Sequence, residues 1–284
     1  MVDTYLSLRC LLPKHLEDEL PELLRPFPVL GTAVDDPLGE LVPVTVYFDN
    51  PRAEARQRAR DVLERHGGVG FDLGSVAADD WLAAYREQVE AFAVGDSWWI
   101  DPHPEAPTPA PKTRRRLVVP PRMAFGSGSH ESTRLVLEAL EELELAAKAV
   151  LDVGCGSGIL ALAAERSGAA PVIAVDIDAT AVGVAREIAT QQEWSVGVHF
   201  AVGSVDCVTS GVFAVVLCNM ISEHFAPMLG AMDRALSPTG ALVLSGLMAS
   251  EIDRVTALLA HSSLTVRETR TAGEWASLTA RRRP

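Results

Sequence analysis

Cysteine is scarce in this 284-residue chain, and the four present, Cys10, Cys155, Cys207 and Cys218, share no paired spacing. That excludes a disulfide framework and a zinc site built on cysteine pairs, and no metal site is expected. It fits a reducing compartment in which Cys10, Cys155 and Cys218 act as small apolar residues. No apolar run approaches the ~18 residues of a membrane span. The start, Met1-Val2-Asp3-Thr4, has neither the basic residues nor the apolar core of a signal peptide, so a cytoplasmic setting without membrane contact is expected. Basic charge is short in the front of the chain. Residues 1–110 hold 9 Lys/Arg against 20 Asp/Glu, a net of −11, and residues 111–284 hold 16 against 18. Such an acidic front disfavours direct nucleic-acid binding and favours encounter with a basic protein. Surface acid also serves solubility.

What is present centres on Val150-Leu151-Asp152-Val153-Gly154-Cys155-Gly156-Ser157-Gly158-Ile159-Leu160-Ala161. A short apolar run predicts a buried strand, the glycines a tight turn, and the Ala/Leu-rich stretch a helix. Open α/β sheets bind nucleotide-like ligands at such a junction. The spacing is G-x-G-x-G, with Ile159 where a dinucleotide fingerprint needs its third glycine. Asp152, two residues before Gly154, would repel a pyrophosphate and attract a cationic amino-acid group. S-adenosylmethionine carries an ammonium and a sulfonium and no phosphate, so Asp152, Gly154, Gly156 and Gly158 suit it better than NAD. Downstream, Pro171–Asp176 predicts a second buried strand whose terminal Asp176 stands where an adenosine ribose offers its hydroxyls.

The rest of the chain reads as two parts. Thr4–Leu11, Val29–Val34, Leu41–Phe48 and Val69–Leu73 are expected strands. Helices are expected from Pro13 to Leu24, with Glu17, Asp18 and Glu19 early, and after the Asn50 cap with Pro51, through His66. Residues 1–76 thus form a small α+β domain, 77–92 (around Trp81) a linker helix, and 93–284 the larger domain. Residues 102–111, rich in proline, predict an exposed, semi-rigid loop. Lys112, Arg114, Arg115 and Arg116 read as a solvated strand end. A polar loop, Phe125-Gly126-Ser127-Gly128-Ser129-His130, leads into a helix from Glu131. Beyond Asp176 come a helix (Ala179–Gln191), strands at Val198–Val202, Phe213–Met220 and Ala241–Leu247, helices Ser222–Leu236 and Ser250–Ala260, and a closing hairpin over Leu264–Ala280. Alternating strand and helix predicts a doubly wound parallel sheet with an antiparallel edge.

Several stretches together resemble the ribosomal protein L11 methyltransferase (PrmA-like) family. They are Ala124–Arg134, Leu151–Ala161, Val175-Asp176-Ile177-Asp178, Asn219-Met220-Ile221, Leu244-Ser245-Gly246 and Gly273-Glu274-Trp275. The chain departs from the family's usual residues at Ser127, Ser132, Ala179, Ala214 and Met220. The resemblance implies a ferredoxin-like substrate-recognition domain and a Rossmann-like, seven-stranded class I methyltransferase domain. It implies S-adenosylmethionine-dependent methylation of lysine side chains and the N-terminal amine of ribosomal protein L11, free or in the large subunit. It places Phe125, Thr133 and Ser204 with the cofactor set, Gly154 against the methionine end, Asp176 on the ribose, and Asn219 beside methyl group and amine. Asn219 is the expected catalytic residue, accepting a hydrogen bond from the amine. His130 and Glu223 are candidate proton acceptors whose simpler roles are loop or helix cap, and Trp275 reads as core. Another protein lysine or a small-molecule amine as substrate stays open, as does a non-catalytic cofactor-binding module.

Overall fold

A computed structural model describes the chain apart from residues 1–3, 17–19, 25, 28, 35–36, 49–52, 78–88, 105–107, 121–127, 193, 196 and 284. Residues 78–88 of the expected linker helix, Phe125 and the Asn50-Pro51 cap lie outside the described residues; the ends of that expected helix, Ala77 and Phe92, belong to strands. Two compact units appear, Met1–Gln88 and Val89–Pro284.

In the first unit, β1 (Thr4–Pro13), β2 (Val29–Val34), β3 (Leu41–Phe48) and β4 (Val69–Ala77) form an antiparallel sheet in the order β2-β3-β1-β4. Alternation puts Leu8, Cys10 and Leu12 on one face with Val44, Val46 and Phe48. That face buries against Leu20 and Leu24 of α1 (Leu20–Leu24) and Ala59 and Leu63 of α2 (Ala53–Arg65), the ferredoxin-like arrangement. The helix expected from Pro13 is shorter. Leu12 and Pro13 pair with Val42 and Leu41, so β1 runs on, and one 3-10 turn (Lys14–Leu16) precedes α1.

The second unit opens with a small sheet of β5 (Phe92–Val94), β6 (Trp98–Asp101) and β7 (Arg115–Val118), followed by α3 (Glu131–Glu141). Lys112 is exposed, but the three arginines of the basic cluster are not a solvated strand end. The Arg114 guanidinium donates to the carbonyls of Gly95 (2.7 Å) and Trp98 (3.0 Å). Arg115 lies 4.4 Å over the Trp98 indole and donates to Ser167 Oγ. Arg116 Nε pairs with the fully buried Asp101 at 2.9 Å. The same Asp101 carboxylate accepts from the His103 and Thr108 backbone N–H groups, so both flanks of the proline-rich segment are anchored and Pro102 is buried. Local charge is visible in the sequence; the carbonyls, indole and carboxylate that neutralise it come from other strands.

The seven-stranded sheet contains β8 (Val150–Val153), β9 (Val172–Asp176), β10 (Val198–Val202), β11 (Phe213–Asn219), β12 (Leu236–Met248), β13 (Leu264–Ala272) and β14 (Trp275–Arg282). Its order is β10-β9-β8-β11-β12-β14-β13, parallel except for β14, which runs antiparallel to both neighbours. Adjacent residues Val150 and Leu151 belong to separate apolar clusters, one on each face of the sheet. Both faces are covered, so the parallel strands read as continuous apolar runs. The helices α4 (Ile159–Arg166), α5 (Ala179–Thr190) and α8 (Ile252–Ala260) match expectation. The predicted Ser222–Leu236 helix is instead α6 (Ser222–Phe225), a 3-10 turn (Ala226–Met228) and α7 (Leu229–Ala235), because Pro227 carries no N–H to continue it. Strand order reverses at β8, with β9 on one side and β11 on the other. The crevice beyond their carboxyl ends is the ligand position of open α/β sheets.

Candidate active site at the strand ends

Gly154, Gly156 and Gly158 turn the chain from β8 into α4 with φ of +72, +51 and +80°, a region only glycine enters freely. The loop's N–H groups are committed within the protein. Gly154 and Cys155 donate to Val175 O (2.8 and 3.1 Å), Gly156 to Asp176 Oδ2 (2.9 Å), and Gly158 to Cys155 O (2.8 Å). A dinucleotide loop points such groups at pyrophosphate; here these four are taken. A Cβ on Gly154 would lie 2.6 Å from Met220 Sδ, and one on Gly158 would lie 2.9 Å from Phe200 and 3.1 Å from Ala185. The first absence admits the Met220 side chain against the loop, and the last lets α4 sit close to its neighbours.

The charged groups that β8 and β9 bring to this point are acidic. Asp152 is fully buried. Its Oδ2 accepts from Ala161 N in the first turn of α4 (3.1 Å), and its Oδ1 has no hydrogen-bond partner among the described residues. Burial pushes this carboxyl up to about 7; the Ala161 N–H opposes the rise and the Asp176 charge adds to it. Burial pushes the Cys155 and Cys218 thiols upward, with Asp152 adding to both and Asp176 to Cys155, so both stay protonated and apolar in character. Asp176 closes β9 and accepts from Gly156 N through one oxygen and Asp178 N (3.0 Å) through the other. Asp178 in turn caps α5, accepting from Thr180 N at 2.8 Å.

Across the switch point, Asn219 ends β11 and donates from Nδ2 to Thr133 Oγ1 (3.1 Å). Thr133 sits buried in the first turn of α3, so two residues expected separately at the site, 86 positions apart, are brought together. Ser245 of β12 fastens that turn by donating its buried hydroxyl to Ser132 O (2.9 Å) and Ala276 O (3.0 Å). His130 is the N-cap of α3, its Nδ1 accepting from Ser132 N, and its ring meets Trp275 edge-on at 4.6 Å. Glu223 is exposed on α6. Ser204 caps the 3-10 turn Val205–Cys207, next to Gly203, whose N–H donates to Asp176 O. Among the described residues, no group of three or more His, Cys, Asp and Glu is placed to hold a metal.

Three features were not singled out for a role in the sequence. Ile177, beside Asp176, is 81% exposed, an apolar side chain held at the crevice rim. Gly246 (φ +79°) touches the Met220 backbone, and its part in Ser245-Gly246 shows in the sequence only through the family resemblance. Ser222 is wholly buried at the start of α6, and no local motif marks it.

Comparison with known proteins adds to this geometry. A family model described as ribosomal protein L11 methyltransferase (PrmA) matches residues 26–283. A ribosomal protein L11 methyltransferase of Pelobacter propionicus is 35% identical over 313 residues, covering 99% of each chain. One from Deinococcus radiodurans is 35% identical over 216 residues, covering 72% of this chain and 78% of that one. The crystal structure of a ribosomal protein L11 methylase from Lactobacillus delbrueckii subsp. bulgaricus superposes with a TM-score of 0.63 at 25% identity, covering 69% of this chain and 99% of that one.

Proposed function

Because this chain belongs to the family of ribosomal protein L11 methyltransferases, we propose that it transfers methyl groups from S-adenosylmethionine to lysine side chains and the N-terminal amine of ribosomal protein L11. The observation that carries the cofactor reading is the pairing of a glycine loop whose amides are already bonded with a strand end that presents one half-buried carboxylate, Asp176, while a second, Asp152, lies fully buried. Phosphate would find no free donors among those four amides and would meet like charge; ribose hydroxyls find an acceptor in Asp176, and a cationic group finds favourable potential. The bound cofactor supplies an electrophilic methyl group on a sulfonium.

The chain's residues hold and orient. Asp176, fixed through Gly156 and Asp178, accepts the ribose hydroxyls, with Ile177 and Ser204 at the same rim. Asp152, buried beneath the loop, adds negative potential as it ionises, and the Cβ position that Gly154 leaves free is taken by the Met220 side chain. Asn219 has its Nδ2 engaged by Thr133, which leaves Oδ1 to accept an N–H from the target amine and aim the nitrogen lone pair. A lysine amine near 10.4 must be neutral to attack, and a water-excluding site favours the neutral form. In-line displacement then needs no covalent enzyme intermediate, and positioning supplies most of the acceleration. The acidic first unit, within the net −11 of residues 1–110, suits recognition of a basic protein.

Transfer of labelled methyl groups tests the substrate. Free L11 and large ribosomal subunits from a strain lacking this activity are incubated with the enzyme and labelled S-adenosylmethionine. Label on L11 is expected in one or both forms. Label on another protein, with none on L11, refutes the assignment.

A further inference from the structure

The peptide that follows Asn219 is held by groups the chemistry itself does not use. Against it stands Gly246, where a Cβ would lie 2.5 Å from Met220 O, 2.6 Å from its C and 2.9 Å from its N. β12 therefore presses directly on the Met220 backbone, whose N–H donates to Ser245 O at 3.1 Å. Two residues further along the chain stands Ser222, 0% exposed. Its hydroxyl donates to Glu251 Oε1 (2.6 Å) and accepts from the Arg254 guanidinium (2.5 Å). Glu251 also pairs with Arg254, and its second oxygen accepts from Met248 N at 2.9 Å. The loops after β11 and β12 and the start of α8 are thus tied through one serine hydroxyl.

We propose that Ser222, Glu251 and Arg254 form a positioning clasp that sets where the Asn219 carboxamide meets the target amine. The inference rests on the reading of Asn219 given above. Starting a helix does not require this arrangement. α6 has four residues and its N-cap, Ile221, makes no side-chain cap bond. A wholly buried hydroxyl joined to a carboxylate and a guanidinium forms charge-assisted bonds, the strong and directional kind. Hydrogen bonds from Ser222 and from Met248 N, with Arg254 beside them, lower the Glu251 carboxyl below its ordinary value. Gly246 packs closely against the Met220 backbone, so Ser222 is the remaining anchor whose release lets Met220 and Asn219 shift. A misplacement of about 1 Å at a reacting group lowers turnover by up to about 100-fold.

The test is a double-mutant cycle on purified full-length enzyme with L11 as substrate. Ser222→Ala is expected to lower kcat about tenfold, with KM for L11 and the calorimetric Kd for S-adenosylmethionine changed less than twofold. Glu251→Gln, which keeps an acceptor at the rim, is expected to lower kcat about threefold and guards against a folding defect in the serine variant. In an Asn219→Ala background, Ser222→Ala is expected to cost nothing further, because the clasp acts only through the asparagine. An equal fall in both backgrounds would mean a purely structural role and would overturn the clasp. Full turnover of Ser222→Ala beside an impaired Asn219→Ala overturns the clasp alone. Full turnover of Asn219→Ala overturns the asparagine reading and the clasp with it.

Discussion

Replacing Asp152 by asparagine changes one charge in the most enclosed part of the site and almost nothing in shape. The wild-type carboxyl is fully buried, has one oxygen on the Ala161 N–H and the other unpartnered among the described residues, and is pushed from 3.8 up to about 7. The native state therefore holds this proton more tightly than the unfolded chain does. The stabilising contribution is complete below about pH 4 and is lost as pH rises toward about 7, because folding must then bury a charge. A rise of that size corresponds to about 4 kcal/mol at 1.36 kcal/mol per tenfold change. Asparagine offers the same acceptor to Ala161 and never ionises. Glu142 and Glu251, held low by Arg270 and Ser222 respectively, titrate in the opposite sense but are present in both proteins and cancel in the difference. Urea unfolding of the two proteins should thus show the variant gaining on wild type by about 3 kcal/mol between about pH 5 and about pH 8.5. The same variant should bind S-adenosylmethionine about tenfold more weakly at pH 8, where the wild-type charge is fully developed. A stability difference that does not vary with pH would refute the argument.

Asp176→Ala should weaken S-adenosylmethionine binding about 100-fold or more by calorimetry, since it removes both the ribose acceptor and the anchor of Gly156. Gly246→Ala should destabilise the chain by about 1–3 kcal/mol and depress turnover further than stability explains, because its methyl group meets the Met220 backbone at 2.5 Å under a positive φ. Asp101→Ala should lower unfolding stability by about 3 kcal/mol and expose residues 101–116 to protease, because Arg116 and two backbone N–H groups lose their acceptor.

The parallel sheet was legible because strands covered on both faces write uninterrupted apolar runs, as at Val150–Val153 and Val172–Asp176. The glycine spacing and the two acids at the strand tips were legible for a related reason: turn geometry and ligand charge constrain neighbours in sequence. Features set by distant pairing were hidden. The Pro13–Leu24 stretch has the composition of a helix start, yet Leu12 and Pro13 are claimed by Val42 and Leu41 across the sheet. The three arginines at 114–116 look solvated until the carbonyls, indole and carboxylate of other strands are in view. Ser222 and Glu251 are 29 residues apart, and nothing in either local pattern marks one for the other.

The two backbone bonds to Asp176 have one more effect. Its rotamer is frozen before any ligand arrives, so little conformational freedom remains to be surrendered when the adenosine docks. Donor and spent product share that half of the molecule and should be gripped alike. Turnover then depends on discriminating them at the sulfur, several ångströms away, and the demethylated product is expected to compete stubbornly for the crevice.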